Sequence, residues 1–212
     1  MTLRGLDFDA QGISANGAVF DNGAALHVEN CVFRDYSTAS QGFGISFTPN
    51  VSAELFVSDT VFTHNGSASD GGGILVRAAA GGVTKAVLNR VEAKDGFYGF
   101  KAEGTNSSGA VINMTIRDSV SAGNRSNGIV GTTNASGAAV VMMLDRSTSS
   151  HNIAGFGVIA DGPKTTVRIG NMSIAGNING VGVSNGGVLQ SYGTNQINGN
   201  SNDGIASLTP IA

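Results

Sequence analysis

The feature that most constrains this chain is a strand phrase that keeps returning. In Ala25-Leu26-His27-Val28-Glu29-Asn30-Cys31-Val32-Phe33-Arg34, Leu26 and Val28 alternate with His27 and Glu29, the period-2 pattern of a strand with one buried face. The pattern recurs as Leu55-Phe56-Val57-Ser58-Asp59, Ala86-Val87-Leu88-Asn89-Arg90, Met114-Thr115-Ile116-Arg117-Asp118, Met142-Met143-Leu144-Asp145-Arg146 and Val167-Arg168-Ile169-Gly170-Asn171, and Met1-Thr2-Leu3-Arg4-Gly5 begins it. Taking Leu3, Val28, Val57, Leu88, Ile116, Leu144, Ile169 and Tyr192 as markers, the steps are 25, 29, 31, 28, 28, 25 and 23 residues. Self-similarity at such a period is the mark of a repeat array, here built from strands.

Between markers, a second short strand opens on glycine: Gly44-Ile45-Ser46-Phe47, Gly73-Ile74-Leu75-Val76, Gly99-Phe100-Lys101-Ala102, Gly128-Ile129-Val130, Gly157-Val158-Ile159-Ala160, Gly180-Val181-Gly182-Val183 and Gly204-Ile205-Ala206. Polar loops of variable length follow these strands. A constant frame with variable loops is the pattern of a solenoid with decorated edges. Helices are excluded, because Gly and Asn recur every few residues and no stripe of period 3.6 persists beyond two turns. A β-sandwich also uses many short strands, but it does not require one residue class at one place in every copy. A parallel coil does, since equivalent positions stack about 4.8 Å apart. The expectation is an all-β, right-handed parallel β-helix of about eight coils, one domain over residues 1–212.

Composition bounds the function. The 212 residues include 32 glycines and no tryptophan, charged residues make up 13%, and the net charge of −3 comes without blocks. Nothing in that distribution attracts nucleic acid or an anionic membrane. No apolar run approaches the roughly 18 residues of a membrane span, and no export leader opens the sequence. Cys31 is the single cysteine, and its column holds Thr60, Val91, Ser119, Ser147 and Met172, so it reads as a buried structural thiol. His27, His64 and His151 lie far apart in the repeat, and no metal-ligand spacing or cofactor motif is present.

The clearest polar column is Asn65, Asn124, Asn152, Asn177 and Asn200, in the turn after the marker strand. Asparagine tolerates left-handed backbone, and stacked amides bond one another. A structural ladder explains the column better than a sugar-binding row. Asp59, Asp118 and Asn171 precede another turn, where a side-chain oxygen can bond backbone amides. Arg117 and Asp145 share an outward column within ion-pair reach. Asp7 and Asp9 form a carboxylate pair on the first coil, the one arrangement resembling acid–base machinery.

The whole chain resembles right-handed parallel β-helix proteins of the pectin lyase-like superfamily. Gly23-Ala24-Ala25-Leu26-His27-Val28-Glu29-Asn30-Cys31 and Gly186-Gly187-Val188-Leu189-Gln190-Ser191-Tyr192-Gly193 look like an uncharacterised bacterial branch of it. The resemblance implies an exported protein, secreted or at the cell surface. Members of that branch begin with an export signal and a cap region with paired cysteines, neither of which this sequence displays. The enzymatic motifs of the superfamily are not matched either. Arg168-Ile169 is followed by Gly170, and neither a Gly-His-Gly nor an Asp-Asp pair occurs.

Two functions follow from different classes. The favoured one is a non-catalytic structural, surface or self-assembling solenoid, with no catalytic, cofactor-binding or metal-binding residue. The alternative is a carbohydrate-binding or polysaccharide-cleaving protein whose groove is built by the loops at 66–72, 104–109 and 131–138. The outward row His27, Phe56, Val87, Thr115, Met143 and Arg168 has one aromatic followed by apolar residues, which suits a dry contact better than a sugar track. For self-association the candidate is the open N-terminal end, with Met1, Leu3, Leu6 and Phe8. At the other end, residues 207–212 are expected to fold over the last coil, Leu208 and Ile211 inward and Pro210 blocking further pairing.

Overall fold

Each alternating phrase forms the strand its pattern demands. In Ala25–Glu29, Leu26 and Val28 are buried while His27 and Glu29 turn outward. The computed structural model describes residues 1–13, 15–38 and 41–211, and places them in an all-β parallel solenoid. The marker strands stack in register, Leu3 on Val28, Val57, Leu88, Ile116, Leu144 and Ile169 in turn.

A coil has three faces, where the sequence pattern suggested two strands. The first face carries the marker strands, from Thr2–Arg4 to Leu208–Pro210. The second carries short strands such as Val32–Arg34, Val120–Ala122 and Thr148–Ser150, which pair parallel between coils. The third carries the glycine-introduced strands, seven from Ala18–Phe20 to Asn179–Ser184. Seven stacked strands bound about six complete turns rather than eight, because the first and last markers belong to partial coils. The register of the last coil also differs by one residue. Ser191 pairs with Ile169, and Tyr192 is 46% exposed instead of inward.

The first corner explains why one phrase becomes two strands. Asn30, Asp59, Arg90, Asp118, Arg146 and Asn171 stack there with φ between 45° and 55°, and Gly5 and Gly193 continue the column. A single left-handed residue turns the chain from one face to the next. That conformation is uncommon for arginine, so the stack must support it. Asp59 and Asp118 do not cap their own turns. Arg90 donates Nε and Nη2 to Asp59 at 2.6 and 2.7 Å, and Arg146 donates to Asp118 at 2.9 and 3.1 Å. The residue after the corner seals it, since Ser119 and Ser147 donate Oγ–H to the carbonyls of Arg117 and Asp145. Buried Cys31 places Sγ 3.3 Å from the Glu29 carbonyl oxygen in the same way.

The second corner holds the asparagine column, and four of its members are buried. Asn65 Oδ1 accepts the amide of Tyr36, one coil back, at 3.1 Å. From Asn124 onward the ladder is continuous. Each amide nitrogen donates to the next Oδ1, Asn124 to Asn152 at 2.9 Å, Asn152 to Asn177 at 2.8 Å and Asn177 to Asn200 at 2.9 Å. Gly96 interrupts it between Asn65 and Asn124, yet its N–H still donates to Asn124 Oδ1. Asp203 ends it by accepting both N–H groups of Asn200.

Beyond this corner, the opening glycines of the third face run close against the second face. A Cβ on Gly99 would overlap Ser121 Oγ and stand 2.6 Å from the Gly128 carbonyl oxygen, and one on Gly73 would lie 2.8 Å from Ala93. The second-face column of the core begins with stacked rings, Phe8 on Phe33 at 4.6 Å and Phe33 on Phe62 at 5.1 Å, passes through Ala93 to buried Ser121 and Ser149, and returns to large apolar residues at Ile174 and Ile197. The two serines accept the amides of Asn124 and Asn152.

The ends differ. At the C-terminus, Leu208–Pro210 adds a parallel rung on Val188–Ser191, with Leu208 packed on the core and Ile211 half-buried; Ala212 lies outside the described residues. Gly204-Ile205-Ala206 is not the strand its pattern suggested. Ile205–Ser207 forms a 3-10 turn against the last third-face strand, whose final pairing is the bridge from Asn179 to Asn202. At the N-terminus, Thr2–Arg4, Asp7–Asp9 and Ala18–Phe20 each pair on one side only. Leu3 and Phe8 are half-buried there, and Met1 and Leu6 are exposed.

Candidate functional site

The first face carries a depression. Its outward row is continuous from Thr2 through His27, Phe56, Val87, Thr115, Met143 and Arg168 to Gln190, and His27 stacks on Phe56 at 4.8 Å. In the neighbouring row, Arg117 lies over Asp145 and Asp145 over Gly170. Glycine leaves that rung without a side chain. A groove of about 510 Å³ opens there, with Met143 and Thr115 in its lining, Tyr192 beside Gly170, and Arg117, Asp145, Arg146, Asn171 and Thr194 around them. Tyr192 reaches the groove because the final coil is one residue out of the step inferred from the repeat.

The charges around the groove are largely committed. Asp145 accepts from Arg146 at 2.8 Å and Asn171 at 2.9 Å, and Arg117, its column partner, stands 4.0 Å away. Hydrogen bonding from the Arg146 guanidinium holds the Asp118 carboxyl below the usual aspartate range. The Asp118 carboxyl is a poor proton donor at neutral pH. The groove offers one aromatic face, a thioether and planar polar groups, which together can bind but do not form an acid–base pair.

Asp7 and Asp9 are likewise paired. Arg34 spans both, at 3.0 and 3.1 Å to Asp7 and 3.0 Å to Asp9, and its hydrogen bonds lower the Asp7 pKa. The arrangement is an ion-pair ladder on the outside of the second face.

The three loops do not build one groove. Residues 66–72 precede a third-face strand, whereas 104–109 and 131–138 follow third-face strands and stack on each other, Asn134 donating to the Thr105 carbonyl at 3.2 Å. They border opposite edges of the third face. Between them lies a charged cluster invisible in the marker alignment. Arg77 donates to Glu103 at 2.8 Å, Lys101 stands 3.5 Å from Glu103 and 3.8 Å from Asp70, and its ammonium lies 4.8 Å from the centre of the Tyr98 ring. Burial pushes the Glu103 carboxyl up, but Lys101, Arg77 and Thr105 outweigh it and leave the pKa below its ordinary value. Aligning the glycine-introduced strands would have placed Arg77 over Glu103, one residue beyond Val76 and Ala102.

Among the described residues no group of three His, Cys, Asp or Glu is placed to hold a metal ion, and no helix is long and apolar enough to cross a membrane. Comparison of the chain with protein-family models, with curated proteins and with solved structures gives no match.

Proposed function

We propose that this chain is a non-catalytic structural element, an exported solenoid of the pectin lyase-like kind that works at a surface and associates through its N-terminal end. One observation carries the reading, the contrast between the ends. The N-terminal coil presents three strands paired on one side only, with Leu3 and Phe8 half-buried and Met1 and Leu6 exposed around them. The C-terminal coil also has strands paired on one side only, Gln196–Ile197 and Leu208–Pro210, but there the 3-10 turn Ile205–Ser207 lies against the last third-face strand and Pro210 lacks an N–H. Unpaired strand edges recruit strands, so the open end is where association belongs.

Sedimentation velocity over a concentration series tests this. The parent should associate reversibly, and Leu3→Asp, which sets a charge at the core opening, should shift it to monomer while leaving its circular dichroism unchanged. A parent that stays monomeric up to about 100 μM, the weak end of specific association, overturns the reading.

A second reading has its own observation, the Tyr192 and Met143 surface in the groove beside Gly170. An aromatic face flanked by Arg, Asp and Asn groups suits a sugar ring, so the groove supports glycan binding without turnover. Calorimetric titration with oligosaccharides, repeated on Tyr192→Ala, tests it: binding lost in the variant supports it, and no heat with either protein refutes it. Release of reducing or unsaturated ends above a heat-killed control would instead make the protein an enzyme.

A further inference from the structure

Seven asparagines of this chain are followed by glycine: Asn16, Asn22, Asn65, Asn127, Asn179, Asn185 and Asn198. Such a pair carries chemistry of its own. The glycine nitrogen can attack the asparagine carboxamide carbon and close a ring, and glycine has no side chain to obstruct the approach. In a folded protein the reaction depends on whether the two groups are held together or apart.

Four of the pairs are held apart. Their glycine N–H groups donate between coils, Gly17 to Phe43 O at 2.9 Å, Gly66 to Tyr36 O at 2.7 Å, Gly128 to Phe156 O at 2.9 Å and Gly180 to Asn202 O at 2.7 Å. The carboxamides are engaged elsewhere. Oδ1 of Asn16, Asn65 and Asn127 accepts the backbone N–H of Phe43, Tyr36 and Phe156, and Nδ2 of Asn179 donates to Gly155 O. Asn185 donates Nδ2–H to Asp161 Oδ1 at 2.8 Å, which draws its carboxamide to the neighbouring coil. Asn198 is exposed, and nothing presses its carboxamide on the Gly199 nitrogen.

Asn22 differs from all of these. Gly23 N–H donates to Asn22 Oδ1 at 2.8 Å. That contact holds the nitrogen beside the carboxamide and withdraws electron density from its carbon. Both residues are exposed, in the turn between Ala18–Phe20 and Ala25–Glu29. The contact is made within two adjacent residues, so it needs no other part of the chain.

We propose that Asn22 is a site of self-modification, where the protein converts its own asparagine to aspartate and isoaspartate. Hydroxide removes the Gly23 amide proton, the nitrogen bonds to Cγ of Asn22, and the carboxamide nitrogen leaves as ammonia with a proton from water. The product is a succinimide. Water opens it at either carbonyl. Breaking the Cγ–N bond restores the main chain with an aspartate side chain, and breaking the bond to the main-chain carbonyl leaves isoaspartate, whose chain runs through Cβ and Cγ. Either product sets a new carboxylate beside Asp21, whose carbonyl accepts Asn50 N–H at 2.8 Å and whose carboxylate accepts the Thr48 hydroxyl at 3.1 Å. The change falls where one turn rests on the next.

Peptide mapping by mass spectrometry tests this on the full chain aged in mildly alkaline buffer, with and without urea. In urea the Asn-Gly pairs should convert at similar rates. In the folded protein Asn22 should stay fast, while Asn16, Asn65, Asn127 and Asn179 should slow at least about tenfold, because they react only through local opening. The Asn22 peptide should contain isoaspartate, and Asn22→Gln should remove the first acidic species to form on ion exchange. Folded Asn22 converting as slowly as the four held pairs would overturn the proposal. Faster conversion at Asn185 or Asn198 would also overturn it, since the Gly23 contact would then not select the site.

Discussion

At the residue scale, the side chains that look most like chemistry are engaged in holding coils together. Asn152 shows how much one of them does. Its Oδ1 accepts Asn124 N–H and Nδ2–H at 3.2 and 2.9 Å, and its own amide donates to Ser149 at 3.2 Å and Asn177 at 2.8 Å, all in a dry corner. Asn152→Ala leaves several buried groups without partners and should lower the unfolding free energy by about 2–4 kcal/mol. Asn200, half-exposed at the end of the ladder, should cost less when replaced, since water can take over its bonds. Urea unfolding of both variants checks the ranking; equal losses would mean that burial does not set the ladder's contribution.

At the element scale, the glycine column is a matter of distance rather than flexibility. The third-face strands start where the second face leaves no room for a side chain, so Gly99→Ala must displace Ser121 or the Gly128 backbone. Overpacking of this kind should cost about 1–3 kcal/mol, read as a lower urea midpoint. Gly81, with open space around its Cα and φ of 68°, should lose stability only through backbone strain when made alanine. If both variants unfold alike, close packing is not the reason for the column.

At the scale of the whole molecule, ion pairs between coils run along the outside of the solenoid and make its stability depend on acid. Hydrogen bonds from Arg34, Arg90 and Arg146 lower the pKa values of Asp7, Asp59 and Asp118 from 3.8, and Glu103 lies below its ordinary 4.5. A carboxylate with a depressed folded pKa adds stability above its unfolded value and loses it as pH falls through the folded one. Thermal stability should therefore hold from pH 7 to about 5 and decline below about 4. Glu103→Gln should unfold earlier than the parent at pH 7 and lose less on acidification. The exposed pairs contribute little and are screened by salt, so the half-sunken Glu103 cluster should dominate. A parallel decline in parent and variant would remove Glu103 as its cause.

The sequence by itself determined the solenoid. Its period, its alternation and the asparagine column follow from stacking, which repeats one environment at each rung and so writes the same residue class again and again. The register of seven markers was legible for that reason, and the slip at Tyr192 came where the array ends and repetition stops constraining the residue. What only the tertiary structure decided lies at the corners and edges. Arg90 and Arg146 have no turn propensity, and they hold a left-handed corner because Asp59 and Asp118 lie one coil below. Arg77, Lys101 and Glu103 are unremarkable in their own strands, and become a cluster only when third-face rungs stack and the 66–72 loop brings Asp70 alongside.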